Sequence, residues 1–146
     1  MHIFLQCIYA LLACIGFCFA FNIHKPWHVL FASLGGMLAW FVYISTGFLN
    51  NDILQYFIAT IIISIYAEVM ARILKTPVTT ILLVALLPLV PGGGIYNTMQ
   101  HCLKGDTLAF LESGLHTLGI AGALSVAILL VSSLVRLVKI ARTRTL

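Results

Sequence analysis

Apolar residues run along this chain in five blocks: Ile3 to Phe21, His28 to Phe48, Ile53 to Leu74, Thr79 to about Leu103, and Leu115 to Val138. Four of the five come close to the ~20 residues that cover a ~30 Å hydrocarbon core. The pattern predicts an all-α membrane protein with about five transmembrane helices. The fourth block is different, because Pro88-Leu-Val-Pro91-Gly92-Gly93-Gly94-Ile95-Tyr96 sets two helix breakers and three consecutive glycines inside it. Its uninterrupted part, Thr79 to Val90, reaches only ~18 Å at 1.5 Å per residue. It spans only if the chain continues through the glycines into Ile95 to Leu103, as a helix made discontinuous at Pro88 to Gly94.

Composition supports the membrane reading. The chain is 62% hydrophobic and 8% charged, against about 25% charged residues in an ordinary soluble domain. A soluble fold of 146 residues has too little interior for that share of apolar side chains. Residues 1–146 therefore read as a single integral membrane domain. Within the first block, Cys18-Phe-Ala20 loosely resembles the cleavage site of a secretion signal. Met1-His2 offers no basic leader, however, and the first basic residue, Lys25, follows the block. The expectation is an uncleaved helix.

Basic residues set the expected orientation, since Lys and Arg concentrate in cytoplasmic loops and termini. With the N-terminus out and the C-terminus in, the cytoplasmic side receives Lys25, Arg72, Lys75, Arg136, Lys139, Arg142 and Arg144, and only Lys104 falls outside. Residues 136–146 then form a basic cytoplasmic tail. If the fourth block re-entered instead of crossing, the tail would be carried outside, so the charge rule favours a crossing. The same rule disfavours reading Pro-Gly-Gly-Gly as a surface loop between two helices. The net charge of +4 is accounted for by orientation and by contact with lipid headgroups, and needs no nucleic acid.

Neither cofactor nor metal is expected. Cys7, Cys14 and Cys18 fall on one stripe of a helix, where packing by small apolar side chains explains them. Cys102 beside His101 stands alone, and no zinc-type spacing occurs. His24 and His28 flank Lys25-Pro-Trp27, which reads as an interfacial turn anchored by Trp27. Small residues four apart mark close-packing faces: Ala32 with Gly36, Gly35 with Ala39, and Gly119, Ala123 and Ala127. Such faces serve packing inside the chain or pairing with another chain, a homo-oligomer included.

The four acidic residues differ in meaning. Asp52 and Asp106 lie at predicted helix starts, as caps facing the positive end of the helix dipole. Glu68 lies inside the third block one turn from Arg72, a spacing that makes a stabilising pair and also makes Glu68, with Arg72, a candidate for proton or substrate coupling. Glu112 and His116, one turn apart, form an interfacial hydrogen bond or a proton-accepting pair. No nucleophile and base converge, so an enzyme is not expected.

A new half-helix beginning after the break would present unpaired N–H groups and the positive end of its dipole, an arrangement that binds anions. Discontinuous transporter helices hold a substrate carboxylate near the midplane in this way. Gly92, Gly93, Gly94 and Ile95 are the candidate backbone donors, with Tyr96, Asn97, Thr98 and Gln100 adding polar side chains. A nucleotide-binding loop is disfavoured, as no Gly-Lys-Ser/Thr ending is present and no strand precedes the glycines.

The run Leu89-Val-Pro-Gly-Gly-Gly-Ile-Tyr96 resembles the signature of the threonine/serine exporter family, in its C-terminal membrane half. The likeness extends over Gly16-Phe-Cys-Phe-Ala-Phe-Asn-Ile23, Leu30-Phe-Ala-Ser-Leu-Gly-Gly-Met-Leu-Ala-Trp40 and Glu68-Val-Met-Ala-Arg-Ile-Leu-Lys-Thr-Pro77. It implies a subunit in the bacterial inner membrane working with a separately encoded, larger partner that carries the N-terminal half. It further implies proton-driven export of threonine, serine or a small dicarboxylate such as succinate. The alternative is a scaffold subunit that binds no substrate and stabilises that partner.

Overall fold

The computed structural model describes residues 2–144, with side chains for 4–141; the side chains of Arg142 and Arg144, counted in the charge argument, lie outside that range. Every α-helix follows an apolar block: α1 (His2–Ala20), α2 (Pro26–Ser45), α3 (Asp52–Ile73), α4 (Val78–Leu86), α5 (Gly92–Lys104) and α6 (Thr107–Arg144). Short 3-10 turns, Gly47–Leu49 and Leu87–Leu89, follow α2 and α4. Helix starts carry local signals. Pro26 opens α2 with its fixed φ, Asn51 accepts a hydrogen bond from the Leu54 N–H, and Asp106 accepts one from Ala109, as its predicted capping role requires. Asp52 stands one residue inside α3, in its first turn, and Asn51 is the cap.

The protein is an all-α, multi-pass membrane protein. Pro26–Leu49, Asp52–Ile73 and Thr107–Ala141 are each long and apolar enough to cross a bilayer, and α4 with α5 adds a fourth span if the bent pair is one crossing. The apolar part of α1, Phe4–Ala20, is shorter than that measure. The fifth block is longer than expected, since its helix begins at Thr107 rather than Leu115 and runs on through Arg136 and Lys139. Asp106 supplies the earlier start, and nothing in the basic segment breaks the helix.

Small residues set the helix spacing. The face of α2 that buries Ala32, Gly35, Gly36 and Ala39 lets three helices approach: Gly36 lies against Cys14 of α1 and Pro88, and Gly35 against Ala85 of α4 and Tyr66 of α3. Cys7, Cys14 and Cys18 are all buried, and the Cys14 thiol reaches the Val84 carbonyl at 3.5 Å. Gly119 lies against Ile53, with Ala127 buried behind it. The small faces thus pack inside the chain. Tyr66 adds a polar tie, donating its hydroxyl to the Phe31 carbonyl at 2.8 Å. Tyr66→Phe is expected to cost about 1 kcal/mol, read as a lowered Tm in detergent without loss of helical signal.

Two polar ends define the thickness of the bundle. At one, Asp52 faces His116 at 3.8 Å. At the other, Glu68 and Arg72 of α3 share a cleft with Arg136 and Lys139 of α6, so α3 and α6 run parallel. From Asp52 to Arg72 the helix rises about 30 Å, which matches the hydrocarbon thickness.

Candidate functional site

The chain enters the interrupted region at the cationic end, where Val78 opens α4 beside Arg72 and Lys139. It leaves at the other end, where α5 runs antiparallel to α6: Gly94 lies against Thr117 and Thr98 against Gly114. The two segments meet at 54°, and the chain does not turn back towards its starting end. The break itself is compact. Pro88 in its 3-10 turn faces α1 and α2, whereas Pro91 lines an apolar cleft against Thr117, Ala121 and Ser125 of α6.

The glycines differ from the sequence expectation. The expected discontinuity runs from Pro88 to Gly94, but Gly92, Gly93 and Gly94 already form the first turn of α5, because Pro91 stops the preceding turn and the glycines are free to enter a helix. Of the candidate donors, the Ile95 N–H bonds to the Pro91 carbonyl at 3.0 Å and the Gly92 N–H to that of Val90 at 2.7 Å. Gly93 and Gly94 keep theirs, and no side chain caps the helix. Depth differs too. The nine residues of α4 and the 3-10 turn carry the chain about 20 Å before the break. The start of α5 therefore lies nearer the Asp52–His116 end than the midplane.

Around this start the side chains divide. Gly92 and Gly93 face open space, while a Cβ on Gly94 would come within 2.5 Å of Thr117 Oγ1, so Gly94 is a packing residue as well as a donor. Tyr96 and Asn97 are exposed, and the Thr98 hydroxyl is engaged by the Gly94 carbonyl at 2.8 Å. Gln100 is half-buried. His116 takes Asp52 as its partner in place of Glu112, which is exposed. That partnership joins two helices and depends on a register that no spacing along α6 reveals.

Between α4 and α6 there is an open seam. Both helices pack on α3, but they do not pack substantially on each other. One stripe of α6 lines it, from Thr117, Ala121, Leu124 and Ser125 beside the break to Ser132, Val135, Arg136 and Lys139 at the cationic end. There it widens into a cleft of about 740 Å³ bounded by Glu68, Arg72, Thr76 and Val78. Glu68 pairs with Arg72 at 3.7 Å, as the spacing predicts, but the two are unequal: the Glu68 side chain is 16% exposed and that of Arg72 63%. Arg136 and Lys139, which the charge pattern reads only as a tail, stand in the same cleft. The signal that joins them to Glu68 is the register of α3 against α6, which is nonlocal. Among the described residues no cluster of metal-ligating side chains occurs.

Helix pairs broken within an apolar bundle, with an uncapped helix start beside polar side chains, recur in membrane transport proteins. The family model described as Threonine/Serine exporter, ThrE, matches residues 6–134, and the chain belongs to the threonine/serine exporter family. Membership makes it a membrane exporter of threonine/serine type. No curated protein and no solved structure matches the chain.

Proposed function

We propose that this chain is one half of a two-part secondary transporter of the bacterial inner membrane, exporting small carboxylate-bearing metabolites such as threonine, serine or a dicarboxylate. It crosses five times, with α4 and α5 as one bent crossing, its N-terminus outside and its basic end in the cytoplasm. A larger partner carrying the other half covers the seam, and protons drive the cycle. The observation that carries this reading is the uncapped start of α5, with the Gly93 and Gly94 N–H groups unpaired at the end of an open seam. A substrate carboxylate moving along the seam meets those donors and the positive end of the α5 dipole. Asn97 and Tyr96, both exposed one turn on, contact the rest of the substrate.

Gly93→Asp tests this. The open space at Gly93 accommodates the new side chain, whose carboxylate competes for the same donors. Threonine and serine export, measured with the partner co-expressed and normalised to membrane abundance, is expected to fall about tenfold or more, an effect of about 1.4 kcal/mol per decade. A scaffold role is the second reading, favoured by the exposure of Tyr96, Met99 and Leu103 on α5 at 67%, 65% and 81%, which offers a face to a partner. Export that survives Gly93→Asp unchanged would remove the substrate role of the α5 start and select α5 as a docking face for the partner.

A further inference from the structure

The cleft at the cationic end combines two kinds of charge. Arg136 and Lys139 come from α6, three residues apart and therefore on one face. Glu68 and Arg72 come from α3, one turn apart, with the Glu68 carboxylate the more enclosed of the two. Thr76 and the beginning of α4 at Val78 close a third side, where α4 starts without a side-chain cap. Among the described residues three cations line the cleft against one carboxylate, a positive balance that draws anions. A cleft that only held the phosphate of a lipid would gain nothing from the enclosed carboxylate among its walls.

A zwitterion uses both signs. The Glu68–Arg72 contact, at 3.7 Å, is longer than the ~2.7–2.9 Å of a charge-assisted hydrogen bond, and Arg72 is free to swing towards water. An incoming ammonium can therefore take the Glu68 oxygens while a carboxylate on the same ligand reaches Arg136. We propose that this cleft is a binding site for a zwitterionic α-amino acid, with Glu68 accepting its ammonium group and Arg136 its carboxylate. The site stands at the far end of the seam from Gly93, at the cytoplasmic face in the orientation proposed above, where an exporter loads. The inference rests on that reading for its direction of transport, but it concerns different residues and a different observable.

Glu68 then decides between substrates. A dicarboxylate has no group for Glu68 and is repelled by it, so neutralising this residue is expected to act in opposite directions on the two ligand types. The test is equilibrium binding of radiolabelled serine and of succinate to the full chain in nanodiscs of neutral phosphatidylcholine. Expected are saturable serine binding that weakens about tenfold in Glu68→Gln and in Arg136→Gln, and succinate binding that strengthens in Glu68→Gln. The gain for succinate is a readout that a misfolded variant would not give, and Arg136→Lys should retain most serine binding. A parallel arm adds phosphatidylglycerol to the nanodiscs. Serine binding that is absent, or unmoved by both variants, overturns the proposal. So does phosphatidylglycerol retention dependent on Arg136 without serine binding, which assigns the cleft to a lipid headgroup. Loss of export in Gly93→Asp with serine binding intact leaves this site standing, and intact export in Gly93→Asp leaves it standing as a loading site while removing the role given to α5.

Discussion

Gly36→Val is expected to abolish accumulation of the protein in the membrane. A Cβ at this position meets the Cys14 Sγ at a separation that real Cβ atoms do not show, with Pro88 Cγ 3.5 Å away on the other side. Cys14 is completely buried, with its thiol on the Val84 carbonyl at 3.5 Å, so moving the sulfur aside gives up that contact. Leaving glycine gains at most ~1 kcal/mol of helix preference, whereas overpacking costs ~1–3 kcal/mol for a few methylenes and more where backbones touch. Strain wins here, because α1, α2 and the 3-10 turn all converge on one point. The obstacle is a single atom, and this sharpens the prediction. Gly36→Ala alone is destabilising, but combined with Cys14→Ala it is tolerated, since the Cys14 Cβ stands at an ordinary 3.4 Å. A double-mutant cycle on thermal stability in detergent measures the coupling, and additive effects of the two changes would refute the packing account.

The second large effect separates two neighbouring glycines. Gly94→Ala is expected to displace α5 from α6 and abolish export, whereas Gly93→Ala retains it. The added carbon at Gly94 meets Thr117 Oγ1 at 2.5 Å and Cγ2 at 3.3 Å, while at Gly93 nothing lies within 4 Å. Thr117 is not free to yield, for its hydroxyl donates to the Ser113 carbonyl at 2.7 Å and it is 9% exposed. Because α5 packs mainly on α6, few other contacts hold it in place. Trypsin accessibility at Lys104, at the end of α5, reports the displacement independently of transport. Equal sensitivity of the two variants would contradict this division between packing and open space.

These contrasts show which parts of the molecule local sequence encodes. The helices, the break at Pro88 and Pro91, the Asp106 cap, the Glu68–Arg72 pair and the small-residue faces follow from composition and spacing, because each depends on residues within a turn or two of one another. The helical state of Gly92 to Gly94 does not, since glycine's weak preference is overridden by what precedes it. His116 facing Asp52 and Arg136 facing the Glu68 cleft are settled by how α3 and α6 slide along each other, with Gly119 seated on Ile53. That sliding is decided by surface shape over the whole contact, and no short motif records it.

One consequence lies in the continuity of α6. It contains no proline and runs unbroken from Thr107 to Arg144, so it behaves as a stiff beam touching both ends of the seam. Thr117 bears on the start of α5, and Arg136, about 28 Å further along, borders the cationic cleft. Any tilt of such a beam about its contact with α3 moves those ends in opposite directions. A shift of the helix at one end is therefore carried to the other.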